Sequence, residues 1–227
     1  MIRAIVFDLD NTLYDQKLFN LGAFGDVSEY VSKSLGADRK KTYNAIARAW
    51  LADPGSPRLF DDVLPSVGVR GADIGKIVGV FHSHRPKLKL YPGARMVLSK
   101  LKARYVLGLL TDGTPSMQRN KMAALGLEKM FDEIVLTAET GAGMPKPDRA
   151  SYDYVLKLLG ARPSEAVYVG DNPKVDFAPA KKMGMTTVRI MKGRFKDAKA
   201  RGGCDADYKI KTLNGIFSIL DSLDRRG

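Results

Sequence analysis

The amino-acid sequence predicts an α/β protein in which a doubly wound parallel sheet carries an inserted all-helical segment. Three observations lead to this fold class. A short apolar strand is predicted at residues 2–7, strand and helix patterns alternate from Tyr91 onwards, and only helical patterns lie between these two regions. We therefore expect residues 1–14 and 91–227 to form the sheet domain and residues 15–90 to form a helical domain.

The composition is that of a globular protein with an excess of basic residues. The 227 residues carry a formal net charge of +12, which favours anionic partners such as phosphorylated metabolites. The basic residues are scattered and accompany no nucleic-acid-binding motif, so we expect no specific nucleic-acid partner. Cys204 is the only cysteine, no apolar run reaches the length of a membrane helix, and the first strand leaves no room for a signal peptide. These features predict a soluble, cytoplasmic protein.

Two aspartates follow the first predicted strand. Asp8 and Asp10 lie two residues apart, so an extended chain would place both carboxylates on one side. Carboxylates this close repel each other and need a cation, a shared proton or both. The carboxyl end of a strand is also where open α/β sheets bind ligands. A solvated polar exit from the strand is the alternative interpretation of the same pair.

The predicted helical domain contains three stretches with apolar residues at helical spacing. They are residues 18–35, 39–51 and 72–81. A break rich in proline and glycine at residues 53–57 separates the second stretch from the third. Asp38 and Asp73 stand near helix starts, where an aspartate side chain caps the first turn. No strand is predicted in this domain.

In the remaining chain, proline and glycine set the limits of alternating strands and helices. Pro115 follows Thr114 as the first residue of a helix that Gly126 ends, and Pro179 must lie in the first turn of a later helix. The predicted strands are residues 105–110, 131–136, 166–169, 186–190 and 208–210. The predicted helices are residues 92–104, 115–126, 149–159, 176–184 and 213–223.

Polar residues follow three further predicted strands. Thr111 and Asp112 stand directly before a helix, whose first backbone N–H groups bind anions. Lys146 stands between two prolines that restrict its backbone, and a fixed cation there would hold a nearby carboxylate ionised. Each of these residues, considered by itself, also has a structural interpretation. Thr111 or Asp176 by itself is consistent with a helix cap, and Lys146 by itself is consistent with an exposed lysine in a surface loop. Asp171, directly after its strand, has no such structural explanation.

A parallel sheet brings the carboxyl ends of its strands together, so these residues are expected to form one site. Asp8, Asp10 and Asp171 would supply an all-oxygen cation site. Oxygen ligands without histidine or cysteine favour Mg²⁺ over zinc. His82 and His84 lie in the helical domain, and we interpret them as surface or substrate-facing residues and not as metal ligands.

The ordered motifs resemble those of the haloacid dehalogenase-like hydrolase superfamily across nearly the whole chain. Residues 8–12 (Asp-Leu-Asp-Asn-Thr) resemble its first motif, Thr111 its second, Lys146-Pro147 its third, and residues 170–176 its fourth. The resemblance implies a Rossmann-like core with a helical cap. The first and fourth motifs are similar to those of the phosphoglycolate phosphatase and N-acylneuraminate-9-phosphatase branch. Such a cap closes over small substrates and excludes water, so a small phosphorylated metabolite is expected as substrate.

The resemblance implies that the two N-terminal aspartates divide the chemistry. Asp8 would attack phosphorus to form an aspartyl-phosphate, and Asp10 would protonate the leaving oxygen and then deprotonate the hydrolytic water. Dehalogenase-like members lack an acid at the position of Asp10. The expected enzyme is therefore a Mg²⁺-dependent phosphatase, with a phosphomutase of the same family as the alternative. A non-catalytic aspartate phospho-switch is disfavoured, because its phosphorylated aspartate ends a middle strand and it has no helical cap.

The same resemblance implies the metal ligands. Mg²⁺ would be held by the Asp8 carboxylate, the Asp10 backbone carbonyl and Asp171. Asp176 would ligate through water or orient the other ligands.

The resemblance also implies the phosphate contacts. Thr111 and the N–H of Asp112 would hold phosphoryl oxygens, and Lys146 would balance their charge. Asp112 departs from the branch, where Asn or Gly is common, and a carboxylate beside a phosphate must turn away or be paired. We expect recognition of the rest of the substrate to come from the helical domain, where the candidates are Arg58, His82, His84, Arg85 and Lys87.

Overall fold

The computed structural model describes residues 1–139, 144–200 and 204–225. In these residues, six strands form one sheet: β1 (Ala4–Phe7), β2 (Val106–Thr111), β3 (Glu133–Leu136), β4 (Ala166–Gly170), β5 (Thr186–Ile190) and β6 (Tyr208–Ile210). Their order is β3-β2-β1-β4-β5-β6, and every neighbouring pair is parallel. The order runs outwards in both directions from the β1–β4 pair, so the prediction of a doubly wound parallel sheet is confirmed.

Helices connect the strands and build the inserted segment. Within the described residues they are α1 (Gln16–Leu35), α2 (Arg39–Ala52), α3 (Leu59–Val63), α4 (Ile74–Ser83), α5 (Ala94–Lys102), α6 (Pro115–Leu125), α7 (Arg149–Leu158), α8 (Phe177–Met183) and α9 (Ile216–Asp224). None of these helices has the length and apolar character needed to cross a bilayer.

The central strands are continuously apolar, as is typical of parallel strands that are covered on both faces. Ile5 in β1 is in register with Leu107 on one side and Val167 on the other, and all three residues are completely buried. On one face of the sheet, Val6 belongs to a core cluster that includes Phe177 of α8. This packing holds the carboxyl ends of β1, β2 and β4 side by side.

The chain divides into two compact units. One comprises residues 1–16 and 88–227 and contains the sheet, and the other comprises residues 17–87 and is built from helices. The helical unit has its own aromatic core, in which the ring of Phe81 lies 5.8 Å from that of Phe24 and 6.0 Å from that of Phe60. Each unit therefore buries apolar surface of its own.

Aspartates cap two helices of the helical unit. The Asp38 carboxylate accepts the N–H of Lys41 at 2.7 Å, and the Asp73 carboxylate accepts the N–H of Lys76 at 3.1 Å. Both caps agree with the sequence prediction. Helix α3 was not predicted, because five residues are too few for a helical period to show in the sequence.

Several element limits differ from the prediction by one or two residues. Tyr105 lies outside β2 because its N–H donates to a carbonyl at the end of α5, whereas Thr111 belongs to β2 because it is in register with Leu136. Helix α5 begins after Pro92 because Gly93, with φ of +79°, precedes the first helical residue. Strand β3 likewise begins two residues later than predicted.

Candidate active site

The carboxyl ends of β1, β2 and β4 border one cleft of the sheet unit, with a volume of about 190 Å³. The cleft is lined by all seven residues that the sequence analysis assigned to catalysis, phosphate binding or metal binding: Asp8, Asp10, Thr111, Asp112, Lys146, Asp171 and Asp176. The strand order explains this convergence, because β1 lies between β2 and β4 at the point where the sheet is wound in opposite directions.

Asp8 follows β1 and is held at both carboxylate oxygens. Thr12 Oγ1 donates to its Oδ2 at 3.0 Å, and Lys146 Nζ donates to its Oδ1 at 2.6 Å. Its backbone N–H donates to the carbonyl of Val169 at 2.9 Å, which extends the pairing with β4 by one residue. Burial is the main cause that raises the pKa of Asp8 from 3.8 to about 7, while Lys146 acts to lower it.

Lys146 links two of the aspartates through one buried ammonium group. Its Nζ lies 2.6 Å from Asp8 Oδ1 and 2.9 Å from Asp176 Oδ1, and it also donates to the Tyr168 hydroxyl at 3.1 Å. Burial acts to lower the pKa of Lys146, but Asp176 and Asp8 outweigh it and hold this pKa well above its ordinary value. The side chain is therefore a fixed cation at the floor of the cleft.

Asp176 stands directly before α8, yet its side chain does not cap that helix. Its Oδ1 accepts from Lys146 and from the Tyr168 hydroxyl at 3.1 Å, and its Oδ2 accepts from the Asn172 N–H at 2.9 Å. Gly170 makes room for this arrangement, because a Cβ there would lie 2.5 Å from Asp176 Oδ2 and 2.8 Å from its Cγ. The last residue of β4 thus allows the carboxylate to pack against the strand end.

Asp171 is the carboxylate whose hydrogen bonding is incomplete. It is 3% exposed, and its Oδ2 has no hydrogen-bond partner among the described residues. Burial, followed by repulsion from Asp8 and Asp176, raises the pKa of Asp171 well above its ordinary value. A buried carboxylate without a partner is unfavourable, and a bound cation would remove this cost.

The chemistry of these donors fits a hard divalent cation. The oxygen of Asp171 that lacks a partner lies in the same cleft as Asp8, and oxygen ligands of this kind suit Mg²⁺. In the described part of the chain, no three His, Cys, Asp or Glu side chains form a metal-binding group. The predicted ligand set does not require one, because it combines two carboxylates with a backbone carbonyl.

Asp10 has a separate set of partners. Lys121 Nζ lies 2.9 Å from both of its carboxylate oxygens, Gln118 Nε2 donates to its Oδ2 at 3.2 Å, and the Tyr14 hydroxyl donates to its Oδ1. All three donor residues are completely buried. Donors from the protein interior therefore hold the Asp10 carboxylate. Its lysine partner, Lys121, is a different residue from Lys146, which binds Asp8.

The sequence analysis missed Tyr14, Gln118 and Lys121. For the last two, helix α6 carried a signal: its buried face consists of Gln118, Lys121, Met122 and Leu125 at spacings of three, four and seven residues. Buried polar side chains need hydrogen-bonding partners. A glutamine and a lysine on the apolar face of a helix therefore indicate a buried polar site beside it.

Thr111 and Asp112 end β2 with different contacts. Thr111 Oγ1 accepts from Gln118 Nε2 at 2.6 Å, which leaves the proton of its own hydroxyl to donate. Asp112 Oδ1 accepts from Thr137 Oγ1 at 2.7 Å and from the backbone N–H of Lys146 at 3.1 Å. The additional carboxylate is therefore paired, and it ties the segment that carries Lys146 to the end of β2.

The turn after β5 contributes two further residues to the cleft, Arg194 and Phe195, which the sequence analysis did not single out. Gly193, with φ of +60°, brings this turn against Asn11, and a Cβ at Gly193 would lie 2.5 Å from the Asn11 Cβ. Arg189, 2% exposed, donates to the carbonyl of Phe195 at 2.5 Å. A buried arginine thus holds one wall of the cleft.

Five candidates for substrate recognition lie in the helical unit: Arg58, His82, His84, Arg85 and Lys87. The two arginines and the lysine are exposed. His84 Nδ1 lies 2.6 Å from Asp26 Oδ2, and its ring packs edge-on against Phe19. His84 therefore has a structural partner within its own unit, and a role for any of the five in recognition stays a prediction.

Known proteins resemble this chain over most of its length. The family model for haloacid dehalogenase-like hydrolase matches residues 2–184. Glyceraldehyde 3-phosphate phosphatase of Methanocaldococcus jannaschii is 35% identical over 230 residues, which cover 97% of this chain and 96% of the relative. Phosphoserine phosphatase of Thermus thermophilus is 32% identical over 171 residues, which cover 74% of this chain and 66% of the relative.

A solved structure agrees with these relatives. The HAD phosphatase from Thermococcus onnurineus is 26% identical with a TM-score of 0.66, and the match covers 96% of this chain and 98% of that protein. The sequence analysis compared two motifs with the phosphoglycolate phosphatase and N-acylneuraminate-9-phosphatase branch. The two relatives are instead named for glyceraldehyde 3-phosphate and phosphoserine. The predicted family itself is confirmed: the chain belongs to the haloacid dehalogenase-like hydrolases.

Proposed function

We propose that this enzyme, a phosphatase of the haloacid dehalogenase-like family, hydrolyses a small phosphomonoester with Mg²⁺ through an aspartyl-phosphate on Asp8. The observation that carries the proposal is the separation of two carboxylates, with Asp8 bound by Lys146 and Asp10 bound by Lys121. Hydrolysis by this route needs a nucleophile and a separate acid–base group. The phosphatase names of the relatives support the same reaction class.

In the first step, an Asp8 oxygen forms a bond to phosphorus while the bond from phosphorus to the ester oxygen breaks. Asp10 donates a proton to the departing oxygen. In the second step, Asp10 takes a proton from water, the water oxygen bonds to phosphorus, and the bond to Asp8 breaks to release phosphate. The contacts of Thr12 and Lys146 with Asp8 support its role, because they hold the carboxylate in one orientation.

The phosphoryl oxygens are held by the Thr111 hydroxyl, by the backbone N–H of Asp112 and by Lys146. Phosphoryl transfer depends mainly on alignment and on neutralising the equatorial oxygens. Helix α6 begins at Pro115, four residues after Thr111, so its N-terminal end adds a favourable dipole to this part of the cleft.

Mg²⁺ would be held by the Asp8 carboxylate, the Asp10 backbone carbonyl and Asp171. When bound, it neutralises anionic oxygens of the substrate and of the cleft. Asp176 would ligate through water or orient the other ligands, and its bonds with Lys146, Tyr168 and the Asn172 N–H hold its carboxylate in one position for this role.

The substrate class is a small phosphorylated metabolite. The two relatives are named for glyceraldehyde 3-phosphate and for phosphoserine, which share a primary phosphomonoester and differ in the rest of the molecule. We propose that residues 15–90 act as the cap that recognises this remainder. A single cysteine in 227 residues supports a reducing, cytoplasmic setting.

Phosphate release from a panel of triose phosphates, sugar phosphates, phosphoserine, phosphoglycolate and nucleotides tests the proposal. We expect release from a subset of small esters with Mg²⁺, loss of release with EDTA, and recovery when Mg²⁺ is added in excess. Release that persists in EDTA would contradict the metal requirement. A phosphomutase would instead convert one sugar phosphate into an isomer without releasing phosphate.

A further inference from the structure

We propose that Lys121 and Gln118 are positioning residues for Asp10, so that helix α6 holds the acid–base carboxyl in the geometry that proton transfer requires. The inference rests on the proposed function, because it assigns Asp10 to the leaving oxygen. Neither Lys121 nor Gln118 lines the cleft, whereas Asp10 does. Neither side chain therefore acts on the substrate directly: Lys121 acts through Asp10, and Gln118 acts through Asp10 and Thr111.

The contacts determine the orientation of the Asp10 carboxylate. Lys121 Nζ is equally distant, at 2.9 Å, from both oxygens, so it lies on the axis of the carboxylate. Gln118 binds only Oδ2 and the Tyr14 hydroxyl binds only Oδ1, so rotation of the carboxylate breaks at least one contact. Donors on both sides and at the centre restrict the side chain to one rotamer.

Gln118 also couples the acid to the phosphate-binding end of β2. Its Nε2 lies 3.2 Å from Asp10 Oδ2 and 2.6 Å from Thr111 Oγ1. One amide group thereby fixes the separation between the proton donor and a residue that holds the phosphoryl oxygens. The reaction needs that separation to be constant, because proton transfer and cleavage of the phosphorus–oxygen bond occur together.

A purely structural role explains Lys121 poorly. A buried ion pair adds little stability compared with an apolar pair of similar volume. Met122 and Leu125 occupy the same buried face of α6, so an apolar side chain at position 121 would continue that face. What a lysine at this position provides is a donor directed at the Asp10 carboxylate.

The dependence of kcat on the leaving group distinguishes a positioning role from a purely structural role. Lys121→Met and Gln118→Leu each remove the donor while keeping similar volume. An alkyl alkoxide requires a proton to leave, whereas p-nitrophenolate departs without one. We expect kcat for the best alkyl phosphate of the panel to fall about 100-fold in Lys121→Met, with KM little changed. For p-nitrophenyl phosphate, kcat should fall less than about 10-fold.

Three further variants separate catalysis from folding. Arg119→Met removes an exposed basic residue from the same helix and should leave both rates unchanged. Asp10→Asn alone removes the carboxylate that pairs with a completely buried ammonium and should lower Tm. Adding Lys121→Met to Asp10→Asn should restore Tm without restoring turnover of the alkyl phosphate.

Equal losses with both leaving groups, or no loss in Lys121→Met and Gln118→Leu, would overturn the inference. If Lys121→Met does not fold, the ratio of the two rates in Gln118→Leu decides the question by the same criterion. Absence of phosphate release by the unmodified enzyme from every ester is a different result, which would overturn the proposed function and this inference with it.

Discussion

Asp8 and Asp10 lie two residues apart in the sequence, yet different parts of the molecule hold them. Asp8 is bound by Lys146, which precedes α7, and shares that lysine with Asp176. Asp10 is bound by Lys121 of α6, which is completely buried. The roles proposed for the two carboxylates require different surroundings, and the separate lysines are consistent with that requirement.

The charge balance of the two surroundings also differs. In the described residues around Asp8, three carboxylates (Asp8, Asp171 and Asp176) share one ammonium group, that of Lys146, and one oxygen of Asp171 has no partner. Around Asp10, one carboxylate meets one lysine. A divalent cation would neutralise the excess of negative charge around Asp8, and this supports the proposal that the metal ion binds on that side of the pair.

The largest effect is expected when Asp8, the proposed nucleophile, is replaced. Asp8→Asn keeps the shape of the side chain but removes the attacking oxygen's charge, so kcat should fall by roughly 10⁴-fold or more. Phosphate release measures this effect, with circular dichroism to verify folding. Asp153→Asn, in an exposed pair with Arg149, is the control and should retain full turnover. Turnover by Asp8→Asn close to that of the unmodified enzyme would remove Asp8 from the role of nucleophile.

Asp171→Asn tests whether the excess of negative charge around Asp8 binds the cation. Removing one buried negative charge should raise the Mg²⁺ concentration needed for half-maximal activity by roughly 10- to 100-fold. It should also stabilise the metal-free protein by about 1 kcal/mol, because the variant no longer holds a third buried carboxylate against Asp8 and Asp176. Thermal unfolding in EDTA measures the second effect. A lower Tm together with an unchanged Mg²⁺ requirement would place the cation elsewhere.

Gly170→Ala disturbs the contact between Asp176 and Lys146 near Asp8 and leaves the partners of Asp10 in place. The new Cβ would lie 2.5 Å from Asp176 Oδ2, so Asp176 must shift and its contact with Lys146 must weaken. We expect a loss of about 1–3 kcal/mol in the free energy of unfolding, measured by urea denaturation, together with lower kcat. The matched control is Gly25→Ala in α1, where the new Cβ would meet no atom within 4 Å beyond its chain neighbours and the backbone of its own helix. It should be neutral or stabilising by up to about 1 kcal/mol.

The smallest effect is expected at Asp112. Its Oδ1 accepts from Thr137 and from the backbone N–H of Lys146, and an asparagine oxygen can accept both bonds. Asp112→Asn should therefore change kcat/KM by less than about 10-fold, whereas Asp112→Ala, which loses both bonds, should cost more. If Asp112→Asn were as harmful as Asp112→Ala, the charge of Asp112 and not its acceptor would be the important property.

The sequence by itself determined which residues end the strands and that these ends meet. The apolar strand before Asp8, the strand and helix before and after Thr111, and the strand before Asp171 are local patterns. A general rule of parallel sheets then brings such ends to one edge. The family followed from the order of the same motifs.

Only the tertiary structure decided which partner each carboxylate has. The contact of Lys121 with Asp10, the pairing of Asp112 with Thr137, and the room that Gly170 makes for Asp176 join atoms of different segments or depend on local fit within a few tenths of an ångström. Residue type and spacing restrict such contacts but do not select among them. Selection depends on packing in three dimensions, because hydrogen bonds and ion pairs lose most of their energy when the partners move apart.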